Sequence, residues 1–239
     1  MLFSTPFITI YVCTFQFIFG AVFAGFLGCY ACRLCKGKSI VKECCKCCGK
    51  KIAPACLVGE VVLAVLFVLC TLHFDLTGEL FLALVLLLVL YVITLTDLQE
   101  RIIPNRCVMA AILIRFLYFL VTGEGSFKQF LWLIGQGLIL SVPVFLVTLL
   151  TETILKKEAL GGGDIKLLFV LGMYLGSAKS LFMLLMACIL GIIGGVVSMK
   201  KTEAGESVTI PFGPYLSAGA VLALLFGDPI ITAYLSLFL

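Results

Sequence analysis

Two aspartates stand at the ends of long apolar runs in a chain of 239 residues of which only 13% are charged. Asp97 follows the run at residues 81–96, and Asp164 precedes the run at residues 165–175. An ionisable side chain at a membrane edge is costly to bury, which marks both as functional candidates. Two carboxyl groups that share one proton can act as general base and general acid on one water, so the pair predicts hydrolysis without a metal or a covalent nucleophile.

The residues around each aspartate suit this chemistry, but each also has a simpler explanation. The glycines at residues 161–163 place a segment without side chains before Asp164, where an extended substrate backbone could come close. The same glycines fit an ordinary loop or helix start, and an aspartate at a helix start is a common cap. Pro104, downstream of Asp97, equally fits the opening of a helix. It is the pair of acids that favours catalysis.

The elements that carry these acids are predicted to be membrane helices. The chain is 62% hydrophobic, and its apolar runs are each long enough to cross about 30 Å of hydrocarbon as a helix. Strand-like alternation is absent, which argues against a barrel. We therefore predict an all-α, polytopic integral membrane protein with about eight transmembrane helices. They are placed at residues 6–29, 57–73, 79–96, 105–121, 127–150, 165–177, 180–198 and 212–237.

The basic residues predict the orientation and the domain organisation. Most of the 17 Lys and Arg side chains fall in the loops at 30–56, 97–106, 151–166 and 199–211. Because basic residues near helix ends are retained in the cytoplasm, these loops are predicted to be cytoplasmic and both termini extracytoplasmic. The net charge of +4 then reflects membrane topology, and no nucleic-acid partner is predicted. One membrane domain over residues 1–239, with a Cys- and Lys-rich loop at 30–56, is the simplest description.

Three sequence blocks resemble those of the type 4 prepilin peptidases, which are membrane aspartyl proteases with a GxGD motif. The blocks are Asp97-Leu98 followed by Ile103-Pro104-Asn105, then Gly161-Gly162-Gly163-Asp164-Ile165-Lys166, and finally Ile210-Pro211-Phe212-Gly213-Pro214-Tyr215. The resemblance implies that Asp97 and Asp164 are the catalytic dyad. It also implies that substrate-binding or supporting residues lie among Glu60, Pro104, Gly161, Gly162, Gly163, Lys166, Pro211, Phe212, Gly213 and Pro214.

The resemblance implies a substrate and a location as well. The family cleaves the leader peptides of prepilins and pseudopilins, in which a short basic leader precedes a hydrophobic helix, at the cytoplasmic face of the bacterial inner membrane. Such a substrate helix would lie in the lipid bilayer with its cleavage site at the depth predicted for the aspartates. Glu60 is expected either to support the site or to cap a helix. Lys166 is expected either to orient an acidic group or to be a positive-inside lysine.

The loop at 30–56 holds most of the 12 cysteines. In a reducing cytoplasm, closely spaced thiolates favour a zinc site over disulfides. The expected ligands are Cys32, Cys35, Cys45 and Cys48, with Cys44, Cys47 and Cys56 as substitutes. Unliganded or lipid-modified thiols are the alternative. Relatives with a full loop also methylate the new N-terminus with S-adenosylmethionine; this loop is shorter, which argues against that second activity. Proteolysis itself requires no cofactor.

Two other functions compete with a prepilin peptidase. One is another GxGD intramembrane protease of the presenilin or signal peptide peptidase type, which the Ile-Pro after Asp97 and the Pro-Phe-Gly-Pro block argue against. The other is a proton- or cation-coupled transporter, in which intramembrane acids bind the coupling ion. The acids here are expected at a membrane surface and no inverted repeat is visible, so the sequence favours the protease.

Overall fold

In a computed structural model, residues 6–35, 54–122, 126–156, 160–199 and 211–238 are described, and all regular structure in them is helical. This confirms the predicted all-α class. The helices are α1 (Pro6–Cys35), α2 (Pro54–Phe74), α3 (Gly78–Glu100), α4 (Asn105–Val121), α5 (Phe127–Leu155), α6 (Gly162–Leu175), α7 (Ser177–Met199) and α8 (Gly213–Phe238).

Five of these helices are long and apolar enough to cross a membrane. They contain the segments Phe7–Cys35, Gly78–Glu100, Phe127–Ile154, Ser177–Val197 and Gly213–Leu237, and α2 adds the shorter apolar segment Val58–Phe74. The protein is therefore a polytopic membrane protein. Helix α6 has only 14 residues, a rise of about 21 Å against about 30 Å of hydrocarbon. It is too short to cross the bilayer unaided.

Several helix ends differ from the predicted ones. Helix α1 continues to Cys35 and α2 begins at Pro54, so the predicted loop at 30–56 is shorter at both ends, and its residues 36–53 lie outside the described structure. No glycine or proline follows residue 28 within α1, so nothing local stops the helix at residue 29. Helix α3 likewise runs past residue 96 to Glu100, and α6 begins at Gly162 rather than at residue 165.

The chain forms two compact units, Met1–Ile102 and Ile103–Leu239. In the first, α1, α2 and α3 all pack on one another. Close approach of α1 and α2 depends on Gly20, where an added Cβ would lie 2.9 Å from the Ala64 Cα atom. This division does not test the expectation of a single membrane domain, which stays a prediction.

Helix α6 is the centre of the second unit, where it packs on α4, α5, α7 and α8. Its side chains are buried around most of its circumference, as expected for a core helix rather than one facing lipid on one side. The buried positions are Leu167, Leu168, Val170, Leu171, Gly172, Met173 and Leu175. A short helix is thus accommodated because the surrounding helices, and not lipid, enclose it.

Contact between α5 and α6 is close enough to exclude side chains. A Cβ added at Gly172 would lie 2.6 Å from the Gln136 carbonyl oxygen, and one at Gly137 would lie 2.8 Å from the Phe169 ring. Small residues let membrane helices approach in this way, since helix association within lipid depends on packing. The Gly137–Gly172 contact therefore sets the distance between the two helices.

Helices α7 and α8 are antiparallel neighbours. A Cβ at Gly219 of α8 would lie 2.6 Å from the Met183 carbonyl oxygen of α7. Further along both helices, Lys179 and Asp228 form an ion pair at 2.7 Å. The start of α8 therefore lies beside the end of α7, which places the Pro-Phe-Gly-Pro block against α7.

The α5–α6 contact predicts that Gly172→Ala destabilises the protein by about 1–3 kcal/mol, because the obstructing atoms belong to backbone and cannot rotate away. Gly135→Ala is the matched control, since a Cβ there meets nothing within 4 Å. It should be neutral or stabilising by up to about 1 kcal/mol, the usual gain of alanine over glycine in a helix. Thermal unfolding of both variants in detergent is the measurement. Equal melting temperatures would contradict the contact.

Candidate active site

Asp97 lies in the last turn of α3, and its side chain is only 5% exposed. The helix ends at Arg101, whose backbone is left-handed (φ 55°) and whose N–H donates to the Asp97 carbonyl oxygen at 3.0 Å. The preceding Thr96 donates its hydroxyl back to the Val92 and Ile93 carbonyls at 3.1 Å. A helical turn therefore holds Asp97, which was predicted to begin the loop at 97–106.

Pro104 is the N-cap of α4, with extended backbone angles of φ −68° and ψ 119°. Its carbonyl accepts from the N–H groups of Cys107 at 3.0 Å and Val108 at 3.4 Å. Proline suits this place because it has no N–H to leave unpaired at a helix start. Pro104 therefore opens helix α4, which was the simpler of the explanations considered for it.

Asp164 lies in the first turn of α6, where its own N–H donates to the Gly161 carbonyl at 3.0 Å. Gly161 is the N-cap, and Gly162 and Gly163 are already helical. Gly162 and Gly163 thus form the helix start that was the simpler explanation of the glycine run. The partial positive charge of a helix N-terminus favours the ionised form of a carboxyl group placed in the first turn.

The three glycines have different surroundings. A Cβ added at Gly163 would lie 2.9 Å from the Ile103 Cβ atom, so this glycine lets the segment before α4 approach the start of α6. A Cβ at Gly161 would lie 3.3 Å from the Asp164 Oδ2 atom, and one at Gly162 would meet nothing within 4 Å. Gly163 is thus needed for packing, whereas Gly162 leaves open space beside Asp164.

Lys166 links the same two helix starts from the solvent side. Its Nζ atom donates to the Asn105 side-chain oxygen at 3.0 Å, and both side chains are exposed. The second unit therefore brings the Ile-Pro-Asn segment together with the Gly-Asp-Ile-Lys segment, two blocks that lie far apart in the chain. Asp97 belongs to the first unit.

The Pro-Phe-Gly-Pro block packs against α7. Pro211 and Phe212 precede α8, which begins at Gly213 and continues through Pro214. The Phe212 ring lies 3.6 Å from where a Cβ on Gly191 would be. The Tyr215 hydroxyl contacts Gly194. This block therefore fixes the start of α8 on α7; Ile210, which begins the block in sequence, lies outside the described residues.

Glu60 lies within α2, beyond its first turn, which contains no acid. Helix capping is confined to the first turn, so the capping explanation is wrong. Its Oε1 atom lies 3.4 Å from where a Cβ on Gly25 of α1 would be. Next to it, a Cβ on Gly59 would lie 3.0 Å from the Tyr91 hydroxyl. Glycines thus admit two polar side chains between the helices of the first unit.

Only half of the expected zinc ligands are described. Cys32 and Cys35 lie on the last turns of α1 and not in a loop, whereas Cys45 and Cys48 lie outside the described residues. Within the described part of the chain, no group of three or more His, Cys, Asp or Glu side chains could hold a metal ion. Two cysteines at i and i+3 share one face of a helix, a spacing that suits one half of a four-thiolate site.

Sequence reasoning did not identify two residues whose contacts with neighbouring helices the structure defines. Arg115 of α4 donates from Nε to the Met173 carbonyl at 3.1 Å, and the Tyr91 hydroxyl contacts the glycines around Glu60. A cation inside an apolar run was the available signal for Arg115. No sequence signal marked Tyr91, because its contacts depend on which helix faces it.

Known proteins match most of this chain. The type IV leader peptidase family matches residues 84–196, a range that contains both Asp97 and Asp164. A Bacillus subtilis protein named prepilin leader peptidase/N-methyltransferase is 31% identical over 193 residues, covering 81% of this chain and 75% of that protein. Namesakes from Aeromonas hydrophila and Pseudomonas aeruginosa are 32% and 28% identical, covering 66% and 80% of this chain.

The extent of these matches differs between relatives. The chain spans 53% of the Aeromonas hydrophila protein and 65% of the Pseudomonas aeruginosa protein, against 75% of the Bacillus subtilis one. No solved structure matches the chain. Because the match to the Bacillus subtilis relative runs through most of both proteins, the chain belongs to the type IV leader peptidase family.

Proposed function

We propose that this protein is a membrane aspartic endopeptidase that cleaves the leader peptides of prepilins or pseudopilins. The observation that carries the proposal is that the family match contains both Asp97 and Asp164, and that each lies at the end of a helix, α3 or α6. All the relatives named above are called prepilin leader peptidases. Family membership supplies the substrate class, and the two acids supply the chemistry.

In the proposed reaction the two aspartates share one proton and one water. The ionised carboxylate removes a proton from the water as its oxygen attacks the scissile carbonyl carbon, and the protonated carboxyl donates a hydrogen bond to the carbonyl oxygen. Collapse of the tetrahedral intermediate breaks the C–N bond and returns a proton to the leaving amine. Asp164 is the better candidate for the ionised member, because it lies in the first turn of a helix.

The proposed setting is the bacterial inner membrane, with the active site facing the cytoplasm and both termini outside. A substrate with a basic leader and a hydrophobic helix would place that helix in the lipid bilayer, and its scissile bond at the helix end would lie near the membrane surface. Basic loops beside α3 and α6 support this orientation. A transporter is disfavoured because the chain belongs to a peptidase family.

Replacing Asp97 or Asp164 singly with Asn should lower the rate of cleavage by about 10²–10⁴-fold or more, because the replaced residue can no longer exchange a proton and the remaining aspartate cannot act as both base and acid. Processing of a purified prepilin by the protein in lipid nanodiscs, followed by gel shift, is the measurement. Asp75→Asn is the matched control, since Asp75 is an exposed turn residue with φ 52°, a backbone conformation that asparagine also adopts.

Retained cleavage by either variant would exclude the aspartic mechanism, and loss of cleavage in the Asp75 control would show that the assay reports general damage. The mass of the cleaved product's N-terminus, with and without S-adenosylmethionine, would show in the same experiment whether one methyl group is added. The mass of the product therefore shows whether this protein has the N-methyltransferase activity that the relatives' names include.

Gly163→Ala should lower the rate of cleavage by about tenfold or more, because its Cβ would lie 2.9 Å from the Ile103 Cβ atom and would displace the start of α6. Gly162→Ala is the neighbouring comparison, because it adds the same atom where nothing lies within 4 Å. Its melting temperature should match that of the unmodified protein. Comparable melting temperatures and rates for both variants would contradict the packing role of Gly163.

We further propose a structural zinc ion held by Cys32, Cys35, Cys45 and Cys48, with no part in peptide cleavage. It is supported by the C-x2-C spacing of each pair and by the shared helix face of Cys32 and Cys35 at the end of α1. The double variant Cys45→Ser with Cys48→Ser should lose the bound metal, measured by elemental analysis of purified protein. Cys188→Ser, at an exposed position on α7, is the control; an unchanged metal content in the double variant would exclude these ligands.

A further inference from the structure

The C-terminal end of α6 presents a hydrogen-bonding problem. The last four carbonyls of any helix lack partners within that helix, and lipid offers no donors. Helix α6 ends at Leu175 after 14 residues, and its final positions are enclosed, with Met173 6% and Leu175 7% exposed. The carbonyls at this end therefore need donors from the protein itself.

Among the described residues, two donors reach the last four carbonyls of α6. The Gly176 N–H, at a positive φ of 79°, donates to the Gly172 carbonyl at 3.0 Å. The Arg115 Nε atom donates to the Met173 carbonyl at 3.1 Å from the neighbouring helix α4. The first donor follows from the turn itself, but the second is a charged side chain in the middle of an apolar helix.

The groups around Arg115 stabilise its positive charge within the apolar helix. The Arg115 guanidinium lies 5.8 Å from the centre of the Tyr118 ring, one turn further along α4, within reach of a cation–π interaction. A cation is also favourable beside the negative end of a helix dipole. A charge retained inside an apolar segment usually has a function, and here its described partner is the end of α6.

Helix α4 is joined to α6 at both ends. Near the start of α6, Asn105 accepts from Lys166 at 3.0 Å and Ile103 packs against Gly163. Near its end, Arg115 binds Met173, and the Tyr174 hydroxyl donates to the Ala111 carbonyl at 2.9 Å. Because a helix is stiff along its axis, contacts at the far end limit axial movement of the near end, where Asp164 lies.

We propose that Arg115 is a positioning residue of the leader peptidase, which holds the C-terminal end of α6 on α4 and so fixes the axial position of Asp164. The inference rests on the proposed function. A catalytic group misplaced by about 1 Å can cost about 10²-fold in rate. The loss of Arg115 should therefore lower kcat while leaving substrate binding largely intact, because Arg115 lies at the opposite end of α6 from Asp164.

The test compares Arg115→Met, which keeps an unbranched side chain without charge or donors, with Arg115→Lys, which keeps the charge and a donor. Lys128→Met is the matched control, since Lys128 is an exposed cation at the start of α5. Each protein is reconstituted in lipid nanodiscs, the folded fraction is taken from size-exclusion chromatography, and kcat and KM for a prepilin substrate are measured per folded molecule. Amide hydrogen exchange of α6 is followed by mass spectrometry on the same samples.

For Arg115→Met we expect kcat to fall by about tenfold or more with KM within about twofold, a lesser loss for Arg115→Lys, and no change for the control. Exchange should rise over residues 173–176 and at the start of α6, but not in α8. A kcat per folded molecule equal to that of the unmodified protein would overturn the proposal, because Arg115 would then serve stability alone.

The exchange measurement separates the two hypotheses. If the unmodified protein cleaves no prepilin while exchange rises in Arg115→Met, the proposed function fails, but the role of Arg115 in holding the end of α6 on α4 is retained. If cleavage occurs but exchange over residues 173–176 is unchanged in Arg115→Met, Arg115 does not hold the end of α6, and the proposed function is retained.

Discussion

A hydrocarbon core offers no hydrogen-bond partners, and the arrangement of the second unit follows from that constraint. Helix α6 is too short to reach across the bilayer, so its backbone groups must be satisfied by neighbouring helices. Four helices enclose it, and its C-terminal carbonyls receive donors from the Gly176 turn and from Arg115. A lipid-exposed helix of the same length would leave these groups unpaired at a cost of several kcal/mol each.

Close enclosure also explains where the glycines are needed. Gly172 admits the backbone of α5 and Gly163 admits the Ile103 side chain, so the two ends of α6 are each approached through a missing side chain. Packing of this kind substitutes for the hydrophobic effect, which contributes little between helices already in lipid. The motif that marks the candidate site is therefore also a packing motif, and Gly162 is its one member with open space around it.

The two acids are held in similar ways by different units. Asp97 is carried by the last turn of α3, which the left-handed residue Arg101 ends, and Asp164 by the first turn of α6, which Gly161 caps. In both cases the side chain projects from helical backbone at the end of a helix. A hydrolytic site benefits from this, because rigid placement reduces the reorganisation needed to reach the transition state.

The sequence by itself determined the helical membrane class and the approximate places of eight helices, and it placed the two aspartates near helix ends, because apolar runs and scarce charges report directly on lipid burial. It misplaced the ends of α1, α3 and α6, since polar and charged residues such as Arg33 and Glu100 continue a helix as readily as they end it. Only the tertiary structure decided that Gly163 faces Ile103, that Lys166 meets Asn105 and that Arg115 binds the end of α6. Those contacts join residues about 60 positions apart in the chain. Packing across the whole unit decides which helix faces which, and local sequence patterns do not encode that packing.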